Sequence, residues 1–299
     1  MTWPHVPVND ALDDFDSMAL QQLESCSKAL AEGSGALLAV RCNYGTAILP
    51  SLFGAELFLM DREIDTLPTC RPLAGGVEAV KCLLDAGVPD LECGQGRQVF
   101  RMARRFKEIL AACPKLSQSA HIFHPDIQGP MNVCEMLWGG SLYVDLYDKP
   151  ALIKDFLSLI TETYIAFMRR SQEVVPPLDG YAVHWSMLHR GQIMIRDDAA
   201  TNFSPEMFEE FVRPYDQRLL DEFGGGGLHF CGRGDHFIAK VAEMPGVYAI
   251  NMTQPEHNDV ETICRHTVDK GINLIGLEER AAKQLFRSGR SLQGRAHCW

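Results

Sequence analysis

Residues 224–237 read GGGGLHFCGRGDHF and combine a glycine run, a short apolar segment and a polar turn. The segment GLHFC (227–231) predicts a β-strand, and DHFIAKVAEM (235–244) predicts the helix that follows it. A strand, a short turn and a helix form the repeating unit of a parallel α/β sheet. Because the glycines precede the strand, the stretch does not match the phosphate-binding pattern of nucleotide folds.

The same alternation extends outward from this stretch in both directions. The other candidate strands are ALLAVRC (36–42), AELFLM (55–60), SAHIFHP (119–125), GYAVHWS (180–186), VYAINM (247–252), INLIGL (272–277) and RAHC (295–298). Helical patterns lie between them, at 16–32, 98–113, 150–175, 204–223 and 259–270. About seven or eight strand–helix units favour a closed (β/α)8 TIM barrel over an open sheet. We expect one domain over residues 1–299. A barrel should begin with a strand near its N-terminus, but about 35 residues that look like the tail of a longer segment precede the first candidate strand here, so we expect the domain to be short at this end.

Composition limits the class of partner. The chain has 299 residues, of which 46% are hydrophobic, and a net charge of −11. That charge argues against a nucleic acid or an anionic membrane surface as the partner. The sequence has no apolar stretch of about 18 residues and no secretory signal pattern, so we expect no membrane span and a cytoplasmic location. The ten cysteines are therefore expected to be free thiols, with a metal site among them.

Polar residues follow nearly every candidate strand. In a barrel, ligands bind at the carboxyl ends of the strands, so these residues predict a small-molecule site. The predicted substrate-binding residues are Arg41, Asn43, Tyr44, Gln128, His184, Trp185, Arg196, Arg233, Asn251 and Gln254.

Two aspartates at strand ends, Asp126 and Asp198, are the candidate catalytic acids or bases. The alternative for each is a carboxylate in a solvated turn. Arg41 at a strand end would hold a carboxylate or phosphate of the substrate. Its alternative is an ion pair with a neighbouring aspartate.

The spacing His229-x-Cys231 predicts a metal site. Residues two apart on a strand point to the same side, so both side chains can reach one ion, and their nitrogen and sulfur suit zinc. Cys298, at the end of the last candidate strand, is the predicted third ligand, and three protein ligands leave one coordination position open. The alternative is that Cys231 is a small core residue, His229 bonds a backbone carbonyl and Cys298 is a tail thiol.

Three longer stretches carry a resemblance to a known family. They are HPDIQGPMNVCEMLWG (124–139) with LYDKPALIKDFLSLITE (146–162), DDAATNFSPEMFEEFVRPYDQRLL (197–220), and LHFCGRGDHFI (228–238). With these stretches the chain resembles the uroporphyrinogen decarboxylase superfamily over nearly its whole length, and its zinc-dependent corrinoid and coenzyme M methyltransferase branch most. The resemblance implies a (β/α)8 barrel, zinc on His229, Cys231 and Cys298, and a methylated corrinoid protein as donor to a thiol acceptor.

Two other functions stay open at this point. One is decarboxylation of a tetrapyrrole or other carboxylate, with Asp126 or Asp198 stabilising a protonated intermediate. The chain lacks the arginine-rich N-terminal motif of the haem-pathway enzyme, which argues against uroporphyrinogen itself. The other is an inactive or ligand-binding barrel.

Overall fold

Helices alternate with short strands along the chain, as the sequence predicts. The computed structural model describes residues 3–33 and 35–298. The elements before residue 178 are α1 (Val8–Asp13), α2 (Phe15–Glu32), β1 (Leu38–Val40), α3 (Ile48–Leu52), β2 (Leu57–Phe58), β3 (Thr69–Cys70), α4 (Gly76–Ala86), α5 (Gly96–Ala112), α6 (Pro114–Ser119), β4 (Ala120–Ile122), α7 (Pro130–Trp138), α8 (Leu142–Asp148) and α9 (Pro150–Val174).

The remaining elements contain most of the strands. They are β5 (Tyr181–His184), β6 (Met187–Arg190), β7 (Ile193–Arg196), α10 (Pro205–Phe211), α11 (Arg213–Glu222), β8 (Gly226–Phe230), α12 (Ile238–Ala242), β9 (Val247–Met252), α13 (Val260–His266), β10 (Asn273–Leu277), α14 (Glu279–Arg287) and β11 (Ala296–Cys298). Short 3-10 turns lie at Asp198–Asn202, Pro255–His257 and Val268–Lys270.

The chain divides into two compact units. The first comprises the residues up to 128, 133–177 and 183–188, and the second comprises 129–132, 178–182 and the residues from 189 onward. In the first unit β1 and β4 pair in parallel, with Val40 opposite Ile122. Its core includes the long helices α5 and α9, whose buried Phe100 and Phe167 rings lie 4.9 Å apart. The parallel pair brings the residues that follow β1 and β4 to the same edge.

The second unit is built on a parallel sheet with the strand order β11-β10-β9-β8-β7. Arg196 of β7 lies opposite His229 of β8, and His229 lies opposite Asn251 of β9. At one end of the strand order, Cys298 of the outermost strand β11 lies opposite Leu277 of β10. The carboxyl ends of all these strands therefore share one edge of the sheet, where the sequence predicts the ligand site.

The glycine run at 224–227 has a packing role in this sheet. A Cβ on Gly226 would lie 1.9 Å from the carbonyl oxygen of Ile193, and one on Gly225 would lie 2.5 Å from that of Gly246. Gly225 also has a φ of 82°, in the left-handed region that favours glycine. The run thus lets β8 enter the sheet between its two neighbours, at the end opposite to the polar residues.

Most predicted strands are present, with bounds that differ by one to several residues. The helix predicted over 204–223 is two helices, α10 and α11, because Pro214 cannot donate a backbone hydrogen bond and its ring crowds the preceding turn. The predicted N-terminus of α10 is confirmed: the Ser204 side chain accepts from the Met207 N–H, and Pro205 follows at the first turn.

The structure confirms a mixed α/β fold with a parallel sheet, but not a closed ring of eight strands. Among residues 3–33 and 35–298, β1 and β4 form one pair, β5 and β6 another, and β2 with β3 a third, apart from the β7–β11 sheet. The β2–β3 pair is antiparallel and lies in the segment between α3 and α4. The six strands outside the β7–β11 sheet are two to four residues long.

Candidate functional site

Three potential metal ligands meet at the carboxyl edge of the second unit's sheet. Asp198 begins the turn after β7, His229 lies on β8, and Cys231 directly follows β8. One ligand atom from each residue lies within 4.8 Å of the others, and among the described residues these three form such a group. The predicted pair His229 and Cys231 is therefore brought together, and the predicted catalytic residue Asp198 joins it.

The distances within the group fit a tetrahedral metal ion. Cys231 Sγ lies 3.4 Å from His229 Nε2, and His229 Nε2 lies 3.7 Å from Asp198 Oδ1. Tetrahedral zinc with ordinary bond lengths sets a sulfur and a nitrogen ligand about 3.6 Å apart, and a nitrogen and an oxygen ligand about 3.4 Å apart. Sulfur, imidazole nitrogen and carboxylate oxygen are all ligands that zinc accepts. The residues present therefore fit zinc.

Asn251 fixes the orientation of the histidine. Its Nδ2 donates to the carbonyl oxygen of Ile275 at 2.7 Å, so its Oδ1 is the atom that faces His229 Nδ1 at 2.6 Å. An amide oxygen only accepts, so Nδ1 carries the proton and Nε2 presents its lone pair to the group. A histidine that ligates a metal is usually held in this way by a partner on its other nitrogen.

Hydrogen bonds also hold the other two members. The Cys231 N–H donates to Asp198 Oδ1 at 2.6 Å, which ties the turn after β7 to the end of β8. The hydroxyl of Thr253 lies 3.2 Å from Cys231 Sγ and donates to it. Sequence reasoning missed Thr253, although it stands two residues after Asn251 and directly follows the neighbouring strand β9. The His229 side chain is 5% exposed and that of Asp198 is 41% exposed, so the carboxylate is the member that meets solvent.

Cys231, His229 and Asn251 also stand in the order of a thiol–imidazole–amide triad. Such a triad needs backbone or side-chain N–H donors for the oxyanion that forms in acyl transfer. The amide of Cys231 itself already donates to Asp198 at 2.6 Å. The carboxylate also places negative charge beside the thiol. The arrangement thus favours a cation over a developing anion.

The structure does not place Cys298 in this group. Two strands, β10 and β9, separate its strand from β8. At a strand spacing of about 4.8 Å, this separation corresponds to roughly 14 Å along the sheet. Burial and the nearby Glu279 raise the pKa of the Cys298 thiol above its ordinary value. Asp198 stands where the sequence predicts a cysteine ligand.

A second polar cluster lies in the first unit, at the carboxyl ends of β1 and β4. Arg41 Nη1 lies 2.9 Å from Asp126 Oδ2, and Gln128 Nε2 donates to Asp126 Oδ1 at 3.2 Å. The side chains of Arg41 and Asp126 are only 15% and 12% exposed. The ion pair that the sequence leaves as the alternative for Arg41 is thus present. A substrate carboxylate at Arg41 would have to share the guanidinium with Asp126.

The other predicted binding residues of the first unit follow β1 or form a hairpin. Asn43 and the buried Tyr44 follow Arg41, and the Tyr44 carbonyl accepts from Gln95 at 3.2 Å. His184 ends β5 and is fully buried, with the Trp185 ring stacked 4.6 Å from its own. Trp185 has a φ of 51°, which is uncommon for a bulky residue and reflects the tight β5–β6 connection.

The remaining predicted residues lie in the second unit. Arg196 and Asn251 are almost fully buried, and Asn251 binds His229 and Ile275. The Arg233 side chain is 67% exposed and pairs with Asp235 at 2.8 Å. Gln254 is half-buried in the loop after β9. Asn251 thus directly supports the three potential ligands Asp198, His229 and Cys231, which we name the metal group, and Arg233 faces solvent.

Comparison with known proteins supports the fold. A solved structure of a methyltransferase from Methanosarcina mazei superposes with a TM-score of 0.70 at 18% identity, and the match covers 98% of this chain and 81% of that one. No protein-family model matches the chain. No curated protein matches it either. The chain therefore has a fold similar to that of a methyltransferase.

Within the described residues, no helix is long and apolar enough to cross a membrane.

Proposed function

We propose that this chain is an enzyme that transfers a methyl group to a small thiol acceptor at a zinc ion held by Asp198, His229 and Cys231. We further propose that it has a TIM-like fold of the uroporphyrinogen decarboxylase superfamily. A methylated corrinoid on a partner protein would be the donor.

One observation carries the proposal. The Nε2 lone pair of His229, Cys231 Sγ and Asp198 Oδ1 converge within 4.8 Å. Asn251 holds the imidazole so that this lone pair faces the other two atoms. The structural similarity to a methyltransferase is in keeping with this assignment.

The three protein ligands have different roles toward the acceptor. A zinc ion bound here would lower the pKa of a thiol that takes its open coordination position. Asn251 on the neighbouring strand binds His229, and Thr253, directly after that strand, binds Cys231. Asp198, whose side chain is 41% exposed, would hold the ion through Oδ1 and could accept the thiol proton on its other oxygen. The acceptor sulfur would then bond the methyl carbon, and the electron pair of the broken donor bond would stay with the donor.

The cluster in the first unit would bind a polar group of a small molecule. Arg41, Asp126 and Gln128 offer a cation, an anion and an amide at the ends of β1 and β4. Such a set can hold a polar group with several hydrogen bonds. Asn43, Tyr44, His184 and Trp185 are the other substrate-binding residues proposed for this unit, and Arg196 is proposed for the second unit.

Metal analysis of the purified protein tests the proposal. We expect about one zinc per chain, lost in the His229→Ala/Cys231→Ser double variant because the remaining carboxylate cannot hold the ion alone. Asp198→Ala should weaken zinc binding, and Cys298→Ser should leave it unchanged. Inductively coupled plasma mass spectrometry and zinc titration measure these effects. If Cys298→Ser alone weakens binding, then Cys298, not Asp198, is the third ligand.

Substrate assays separate the alternatives. Demethylation of methylcobalamin in the presence of small thiols, lost in the same double variant, supports methyl transfer. Turnover of uroporphyrinogen at about 1 s⁻¹ or faster would instead favour the decarboxylase. A wild-type protein that binds no zinc and transfers no methyl group would leave the ligand-binding barrel as the better account.

A further inference from the structure

A single asparagine, Asn258, organises the loop that follows Cys231. This loop comprises residues 232–237 and joins β8 to α12; we name it the β8 loop. The loop after β9 comprises residues 253–259 and carries Asn258; we name it the β9 loop. Both begin at the carboxyl ends of neighbouring parallel strands, so they lie side by side at the edge that holds the metal group.

The side chain of Asn258 makes hydrogen bonds with both loops. Its Oδ1 accepts from the Gly234 N–H at 2.7 Å and from the Asp235 N–H at 3.1 Å. Its Nδ2 donates to the Gly232 carbonyl at 2.9 Å and to the Gln254 carbonyl at 2.8 Å. The half-buried amide thus uses both donors and both acceptor sites on backbone groups. Three of its four partners belong to the β8 loop.

The β8 loop is fastened on two further sides. Asp235 Oδ2 accepts from the Asp259 N–H at 2.8 Å, so a side chain of the β8 loop also binds the backbone of the β9 loop. On the opposite side, His236 Nε2 lies 2.9 Å from the carbonyl oxygen of Phe203, at the end of the turn that begins with Asp198. The loop therefore bridges the segment after β7 and the segment after β9.

The loop also lacks room to shift toward the strand. A Cβ on Gly234 would lie 2.4 Å from the Phe230 ring, so the backbone of the loop packs directly on that side chain. Gly232, the residue after Cys231, has a φ of 104° that a residue with a side chain rarely adopts. Asn258 binds the carbonyl of this same residue, and it therefore stabilises the sharp turn that directs Cys231 toward His229 and Thr253.

We propose that Asn258 is a positioning residue for the metal group: it sets the backbone at Gly232 and thereby places Cys231 against His229 and Asp198. It touches none of the three ligands and acts through the β8 loop. This inference rests on the proposed metal function, and its test therefore has one readout that needs a metal and one that does not.

The test compares wild type, Asn258→Ala and Thr262→Ala. Thr262 is the matched control, because its hydroxyl donates to Asp259 of the β9 loop at 2.6 Å and, among the described residues, makes no side-chain hydrogen bond to the β8 loop. The first readout is titration with Co²⁺, whose sulfur-to-metal absorption band reports ligation by Cys231. We expect Asn258→Ala to bind Co²⁺ about 10 to 100-fold more weakly with a reduced band, the range found for supporting residues of metal sites. The control should match wild type.

The second readout is amide hydrogen exchange in chelator-treated protein. Loss of Asn258 frees the N–H groups of Gly234 and Asp235 in any case. If Asn258 positions Cys231, the Cys231 N–H, which donates to Asp198 at 2.6 Å, should also exchange at least about tenfold faster. Amide exchange in the strands other than β8 should be the same in Asn258→Ala as in wild type.

The outcomes separate the two proposals. A wild-type protein that binds no Co²⁺ overturns the metal function, and the exchange of the Cys231 amide then decides on Asn258 alone. Cys231 exchange and Co²⁺ affinity within twofold of wild type would show that Asn258 only orders its own loop. If Asn258→Ala does not fold, Asn258→Ser, which retains one acceptor, is measured by the same criteria.

Discussion

At the scale of single residues, the candidate site depends on which ring nitrogen of His229 carries the proton and which one presents a lone pair. The ring presents Nε2 because Asn251 Oδ1 takes the Nδ1 proton, and Asn251 is itself fixed by the Ile275 carbonyl. Each step in this chain is a hydrogen bond of 2.6 or 2.7 Å between buried groups, where an unmade bond is costly. A residue outside the three proposed ligands thus decides whether His229 can present Nε2 to a metal ion.

We predict that Asn251→Ala lowers the affinity for Zn²⁺ or Co²⁺ by about 10 to 100-fold. Without the amide oxygen, the imidazole can rotate or carry its proton on Nε2, and both changes remove the lone pair from the group. Competition titration with a chromophoric chelator measures the affinity. Asn273→Ala, an asparagine on the next strand, is the control and should bind as wild type does. Equal affinities for all three proteins would contradict the role given to Asn251.

At the scale of secondary-structure elements, the sheet of the second unit depends on close contact at its amino-terminal edge. Gly226 begins β8 opposite Ile193 of β7 and Val247 of β9. The missing side chain leaves room for the carbonyl oxygen of Ile193. Backbone atoms within a ladder cannot move aside as a flexible side chain can, so this position tolerates no methyl group.

We predict that Gly226→Ala destabilises the protein by about 2–3 kcal/mol, because the new Cβ would lie 1.9 Å from the Ile193 oxygen and would separate β7 from β8. Denaturant unfolding followed by circular dichroism measures the effect. Gly140→Ala is the control, since no heavy atom lies within 4 Å of its added Cβ, and it should change the stability by less than about 0.5 kcal/mol. Similar midpoints for the two variants would show that the strands adjust.

At the scale of the whole molecule, two buried acids in the second unit make stability depend on pH. Asp197, at the end of β7, and Asp216, on α11, are both fully buried. Burial raises the pKa of Asp197 to about 6. Burial and the neighbouring charge of Asp197 raise the pKa of Asp216 well above the ordinary value of 3.8. The folded chain therefore keeps protons that the unfolded chain loses near pH 4.

The sign of the effect follows from this difference. The contribution of these acids to the free energy of unfolding is fully present below about pH 4 and is lost as the pH rises through about 6 and above. We predict that Asp216→Asn is more stable than wild type at pH 7–8, by a margin that grows with pH by up to about 1.4 kcal/mol per unit. Thermal unfolding of chelator-treated protein from pH 4.5 to 8 measures the margin.

A second variant controls for the change of net charge. Asp221→Asn removes an exposed aspartate from the same helix and should shift the unfolding temperature little at any pH. Parallel curves for Asp216→Asn and wild type over the whole range would mean that Asp216 is ionised in the folded chain.

The sequence by itself determined most of the elements and one pair of candidate metal ligands. The alternation of apolar runs and amphipathic patterns predicted β8, β9 and β10 to within a residue, because side-chain periodicity is a local property. His229-x-Cys231 could be assigned to one metal group for the same reason, since alternate residues of a strand share a side. The alternative for Arg41, an ion pair with a nearby aspartate, was also within reach of the sequence.

Tertiary structure alone decided which distant residues join that pair. Asp198 reaches the group because β7 lies beside β8, whereas Cys298 lies on β11, beyond β9 and β10. The partnership of His229 with Asn251 and the contacts of Asn258 depend likewise on β8 lying beside β9. The order of strands in a sheet is set by long-range packing and not by any local pattern. The third candidate ligand and the residues that orient the first two therefore became visible only in the folded chain.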